Sequence, residues 1–130
     1  MKRFVLHHIP ALLYAALIIT LSSIPRADLP EIALLRADKL LHFAEYAIFA
    51  VLIYRSMSDL FGVHRLALVF WVSSGITILF AAIDEFYQKY VPGRNSDAAD
   101  LILDIAGAVL ILLLLWYRQK KRKNQAENKV

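Results

Sequence analysis

Four long apolar stretches separated by short polar segments dominate the pattern of the chain. They run over residues 4–21, 40–54, 66–83 and 101–117. A bilayer core is ~30 Å thick and takes roughly 20 helical residues to cross. The third stretch has no charge, the fourth has only Asp104, and the second is short and contains His42 and Glu45, so its flanks must extend it. The pattern predicts an all-α integral membrane bundle of four transmembrane helices.

The segments between the apolar stretches are rich in residues that interrupt helices. Residues 25–39 contain Pro25 and Pro30, residues 55–65 contain Gly62, and residues 92–96 read Pro-Gly-Arg-Asn-Ser. We interpret them as two loops and a turn. The tail at 118–130 is highly charged, and we expect it to be mobile. We therefore predict a transmembrane domain over 1–117 and a basic cytoplasmic tail over 118–130.

Composition supports a bilayer as the main partner. The chain is 59% hydrophobic, whereas soluble domains are ~45–50% apolar. The absence of cysteine excludes disulfides and thiolate sites. The net charge of +4 does not indicate nucleic-acid binding, because six of the 15 Lys and Arg residues follow the last apolar stretch and no basic-and-aromatic motif accompanies them. Such a tail is typical of an anchor on anionic headgroups.

The distribution of charge predicts an orientation. Ten Lys and Arg residues fall on one side of the four spans and five on the other, so the positive-inside rule places both termini in the cytoplasm. The acids have the opposite bias, and nine of the 11 fall at or near the outer side: Asp28, Glu31, Asp38, Glu45, Asp84, Glu85, Asp97, Asp100 and Asp104. Any chemistry is therefore expected at the outer leaflet.

A polar stripe enters the second helix. Asp38, His42, Glu45 and Tyr46 are spaced to share one helical face, and we expect Lys39 to extend toward the interface. An ionised side chain at the bilayer centre costs ~2.5–3.5 kcal/mol on insertion scales. Glu45, about 10 Å deeper than Asp38, is therefore expected to face the interior, to be paired or to be protonated.

The end of the third helix carries a second polar group. Asp84 and Gln88 share one face, and Glu85 with Lys89 is expected to form a surface pair on a neighbouring face. The Pro-Gly dipeptide that follows ends the helix and permits a turn that brings Arg94 back toward it.

The fourth helix begins with a third polar group. Asp97, Asp100 and Asp104 again lie on one face. Asp97 is also a natural N-cap, and Asp100 is a favourable acid in a first turn. Gly107, one turn further on, would let a neighbouring helix approach closely.

The three groups should converge, because all the polar helix ends lie on one side. Two interpretations stay open for such a cluster. His42 with Asp84 or Glu85 could act as acid and base while Arg94 holds an anionic group. Alternatively, the cluster is a structural ion-pair network. A single His-x-x-Glu gives little support for a metal, so we predict neither a metal nor a cofactor.

The motif blocks resemble the VanZ-like family, which is named for a teicoplanin-resistance protein. They cover residues 38–107 and read Asp38-Lys39-x-x-His42-x-x-x-Tyr46, Asp84-Glu85-x-x-Gln88-x-x-x-Pro92-x-Arg94 and Asp100-x-x-x-Asp104-x-x-Gly107. The resemblance implies a multi-pass bacterial membrane protein linked in some members to glycopeptide resistance at the cell surface, without an established reaction. The family usually has Asn at the position of Asp104, and Asp imitates an Asn donor only when protonated.

Three functions remain as alternatives. The first is an enzyme acting on a lipid-linked or cell-wall substrate at the outer side of the cell membrane. The second, of about equal rank, is a noncatalytic structural or interaction membrane protein. A proton-coupled transporter ranks last, because the charges lie toward one end and the third helix is uninterrupted.

Overall fold

A computed structural model describes residues 2–25, 38–94 and 97–128 of the chain. The backbone of Asp38 is included, but its side chain is not. Most of the predicted first loop, with Pro30, and the end of the predicted turn, with Ser96, lie outside the described residues.

Four helices make up the fold. They are α1 (Lys2–Ser22), α2 (Asp38–Phe61), α3 (Leu66–Gln88) and α4 (Ala98–Glu127). Each is long and apolar enough to cross a membrane. The predicted all-α bundle of four spans is confirmed, and the described part of the chain contains no strand.

Helix α2 is longer than the sequence predicted. It continues through the polar residues that we assigned to a loop and ends at Phe61, before Gly62 turns the chain with a φ of +85°. The polar residues stay helical because α1 supplies partners for them. His8 Nδ1 lies 2.6 Å from Ser56 Oγ, and Asp59 pairs with Arg3 and lies 3.4 Å from His8 Nε2.

The basic tail is also helical from Arg118 to Glu127, where we expected a mobile segment. Helix α4 runs without interruption to Glu127. The segment from Arg118 to Glu127 has no Gly or Pro and consists mainly of Lys, Arg, Gln and Glu, all of which favour helix. We call this part of α4, residues 118–127, the α4 extension.

Helix α2 lies at the centre of the bundle and packs against the other three helices. On one side, Tyr46, Phe49 and Ile53 form an apolar core with α1 and α3. On the other side, Ala50 and Tyr54 form a second core with α3 and α4. Both cores leave wide apolar faces exposed on the outside of the bundle, as expected for helices solvated by lipid.

Helices α2 and α4 come into direct backbone contact at Gly107. A Cβ atom at this position would collide with the carbonyl oxygen of Phe43. The predicted close approach at Gly107 is confirmed, and it brings the polar start of α2 against the polar start of α4.

Candidate functional site

The antiparallel order of the helices gathers the predicted polar groups at one end of the bundle. Here α1 and α3 end and α2 and α4 begin. We call this end the acidic end, since it holds the described acids Glu45, Asp84, Glu85, Asp97, Asp100 and Asp104. The other end, with the α2–α3 turn at residues 62–65 and the α4 extension, is called the basic end.

Asp84 is the most highly connected acid of the acidic end. It is 1% exposed, and its Oδ2 accepts hydrogen bonds from Ser22 Oγ at 3.0 Å, Tyr46 OH at 3.2 Å and Gln88 Nε2 at 3.4 Å. These donors come from α1, α2 and α3, so a single carboxylate links three helices. Asp84 and Gln88 share one face of α3 as predicted, whereas the contact with Ser22 was not predicted.

His42 and Asp104 form a second buried pair between α2 and α4. His42 Nδ1 lies 3.2 Å from Asp104 Oδ1, and both side chains are buried. A carboxylate in this position fixes the orientation of an imidazole ring. The pair therefore has the arrangement of an oriented acid–base group.

Glu85 lies inside the bundle, and our prediction of a surface pair with Lys89 was wrong. Glu85 is 5% exposed, and its Oε1 accepts a hydrogen bond from the backbone N–H of Asp97 at 2.6 Å. Lys89 is exposed, with its Nζ 5.3 Å from the centre of the Phe86 ring. Asp97 caps α4 as predicted, since its side chain accepts from the N–H of Ala99.

Arg94 returns to α3 and α1, as the predicted turn requires. Gly93 has a φ of +74°, and Arg94 Nη1 then lies 3.5 Å from Gln88 Oε1. Its Nε and Nη2 donate to the carbonyl oxygens of Ile24 and Leu21 at 3.1 and 3.0 Å. The guanidinium thus ties the end of α1 to the end of α3.

The remaining predicted residues occupy less enclosed positions. Glu45 is half-buried and lies within electrostatic range of His42, Asp84, Asp104 and Arg94. Lys39 is exposed, and Asp100 is half-buried. The Asp38 side chain lies outside the described residues, so its place in the stripe stays a prediction.

Several carboxylate oxygens at the acidic end lack a partner among the described residues. They are Asp84 Oδ1, Glu85 Oε2 and Asp100 Oδ1, and each is shielded from solvent. A buried acceptor without a donor is unfavourable, so these oxygens suit a proton, a water molecule or a ligand that donates hydrogen bonds. Within the described ranges, no three His, Asp or Glu side chains are grouped so as to hold a metal ion.

The sequence pattern of the VanZ/LLP1 family matches residues 4–119. The chain belongs to the VanZ/LLP1 family. The match extends well beyond the motif blocks at 38–107, into α1 and the start of the α4 extension, and confirms the predicted family. No curated protein and no solved structure shows significant similarity to this VanZ-family chain.

The bundle of this VanZ-family protein also contains polar contacts that the motifs did not indicate. Ser22 is separated from Asp84 by 62 positions, and only the packing of α1 on α3 shows the contact. The contacts of Arg3 and His8 with Ser56 and Asp59 lie at the basic end. The sequence offered two signals for these contacts. They were a serine at the end of an apolar stretch, Ser22, and an acid near the end of a span, Asp59.

Proposed function

We propose that this VanZ-family protein binds a lipid-linked or cell-wall substrate at its acidic end, on the outer side of the bacterial cell membrane. We further propose that it modifies this substrate by acid–base chemistry and so affects glycopeptide (teicoplanin) susceptibility. The observation that carries the proposal is the pair of buried acceptor oxygens, Asp84 Oδ1 and Glu85 Oε2, at the same end of the bundle as the His42–Asp104 pair.

Each group has a role that its contacts support. Asp84 and Glu85 accept hydrogen bonds from a hydroxyl or amine of the substrate, because each has one oxygen without a partner among the described residues. His42, oriented by Asp104, accepts or supplies the proton. Arg94 donates three of its five N–H groups to the described residues, and the other two serve to bind an anionic group.

A noncatalytic, structural role is the second candidate, and the contacts of Arg94 and Asp84 favour it. Arg94 binds two carbonyl oxygens at the end of α1, and Asp84 accepts from Ser22 on the same helix. Both residues would then serve to hold α1 on the bundle. Removing either partner of a buried network is destabilising, so this role predicts loss of the folded protein.

The experiment compares teicoplanin susceptibility with the amount of protein in the membrane. Bacteria lacking the protein are complemented with the wild type, His42→Ala, Asp84→Asn or Arg94→Ala, and the membranes are quantified by immunoblot. If the acidic end acts on a substrate, His42→Ala and Asp84→Asn abolish the effect on susceptibility at wild-type accumulation. If the cluster is structural, accumulation and effect are lost together.

Asp59→Asn is the matched control, since it makes the same change from carboxylate to amide at the basic end. It should leave the effect on susceptibility intact. A wild-type protein that accumulates and leaves teicoplanin susceptibility unchanged would show that the resistance part of the proposal is wrong.

A further inference from the structure

The basic end contains a groove between the α2–α3 turn and the α4 extension. It consists of two adjoining hollows of about 390 and 460 Å³ that share His64, Leu66 and Lys123. We call it the basic groove. It lies at the opposite end of the bundle from the acidic end and uses none of the residues of the candidate site.

The walls of the basic groove carry an excess of positive charge. Arg65, Lys120, Arg122 and Lys123 line it, and Glu127 is the one acid that lines it in the described part of the chain. Glu127 lies 3.9 Å from Lys123 at an exposed position and neutralises only one of the four cations. A concave site with this charge is suited to an anion.

Part of the wall of the basic groove is apolar and aromatic. Trp116 lines it, Lys120 Nζ lies 4.9 Å from the centre of the Trp116 ring, and Trp116 packs against Phe70. Leu68 also lines the groove, and Trp71, one turn further along α3, is 70% exposed. Cations above an exposed apolar surface match an amphiphile whose anionic group sits on top of its hydrocarbon chains.

We propose that the basic groove binds the phosphate headgroup of an anionic phospholipid, with the acyl chains lying along the exposed face of α3. Lys120, Arg122 and Lys123, the cations of the α4 extension that line the groove, contact the phosphate, and Trp116 lies at the boundary between headgroup and hydrocarbon, where tryptophan is enriched. The site is distinct from general attraction of a basic tail to a membrane, because it depends on which cations line the groove.

The α4 extension offers a test with two variants of equal total charge. Lys120→Gln with Lys123→Gln removes two cations that line the groove. Arg118→Gln with Lys121→Gln removes two cations from the same segment that line neither hollow. All four side chains are exposed and glutamine favours helix, so both variants should fold.

Native mass spectrometry of the purified full chain in detergent measures binding of added dioleoylphosphatidylglycerol, with zwitterionic dioleoylphosphatidylcholine as the comparison lipid. We expect the groove variant to bind phosphatidylglycerol about tenfold more weakly than the wild type, and the control variant to stay within about twofold. Equal weakening of both variants, no weakening of either, or equal binding of the two lipids would overturn the proposal. Inorganic phosphate that displaces phosphatidylglycerol from the wild type would also overturn it, by identifying a site for free anions.

Discussion

At the scale of single residues, the acidic end is a buried network. Asp84, Asp104 and Glu85 are all 5% exposed or less, and each is contacted by a group from another helix or from the cap of α4. Burying a polar group without hydrogen-bond partners is unfavourable, so these contacts contribute to the stability of the bundle. The contacts of these residues therefore determine both which helices can pack together and which carboxylate oxygens lack a partner among the described residues.

Replacing Asp104 tests how much the buried pair with His42 depends on charge. Asp104→Asn keeps the shape of the side chain and one hydrogen bond to His42 Nδ1, so we expect the free energy of unfolding to stay within about 1 kcal/mol of the wild type. Asp104→Leu removes the carboxylate that lies 3.2 Å from His42 Nδ1, and we expect a loss of about 1–3 kcal/mol. Unfolding by SDS titration in mixed micelles measures both values.

The comparison of the two Asp104 variants has a clear contrary outcome. If Asp104→Asn is destabilised as much as Asp104→Leu, the pair requires a carboxylate. Family members that have Asn at this position would then stabilise His42 by a different contact.

At the scale of helices, the sequence predicted the number and type of elements and missed some of their ends. The apolar stretch that predicted α3 ends at Ile83, about one and a half turns before the observed end of the helix at Gln88. The difference arises because the last turns of α3 are polar. It ended α2 too early, because the partners of Ser56 and Asp59 lie on α1. Hydropathy records the polarity of a residue and carries no information about a partner distant in sequence.

Part of the candidate site was also predictable from the spacing of residues along single helices. Spacing correctly placed Asp84 and Gln88 on one face of α3, and the Pro-Gly turn correctly predicted that Arg94 comes back toward that helix. Both features depend on local geometry. Spacing placed Glu85 on a surface because Lys89 lies one turn away. Its actual partner, the N–H of Asp97, becomes available only when α3 and α4 pack together.

The contact between α2 and α4 predicts opposite effects for two Gly→Ala substitutions. A methyl group at Gly107 collides with the backbone of Phe43, so we expect Gly107→Ala to destabilise the bundle by about 1–3 kcal/mol. A methyl group at Gly75, in the middle of α3, meets nothing within 4 Å. Gly75→Ala should be neutral or more stable by up to about 1 kcal/mol, because alanine favours helix.

Thermal unfolding of the two variants in detergent checks this prediction. Both substitutions add the same atom to the middle of a helix, so the difference between them reports the contact of Gly107 alone. Equal melting temperatures would mean that α2 and α4 do not touch at Phe43. His42 and Asp104, which flank that contact, would then be too far apart to pair.

At the scale of the whole molecule, the chain is strongly asymmetric. Most of the described acids lie at the end where α2 and α4 begin, and the α4 extension and the α2–α3 turn carry cations at the other end. The two proposed sites follow this division, since one uses buried acceptors and the other uses exposed cations. The bilayer separates them by the length of a span, about 30 Å.

The orientation of this asymmetry is the premise of the outer-side substrate, and reporter fusions test it. The positive-inside rule predicts that alkaline phosphatase is active when it is fused after Arg94. It should be inactive when fused after Arg65 or at the carboxyl terminus, and green fluorescent protein fused at the carboxyl terminus should be fluorescent. Phosphatase activity after Arg65 together with none after Arg94 would place the acidic end in the cytoplasm. Asp84 and His42 could then meet only cytoplasmic substrates, and the basic groove would face the outer leaflet. The internal geometry of both sites would be unchanged, so this result would contradict the proposed substrate and leave the fold and the phosphate chemistry of the groove intact.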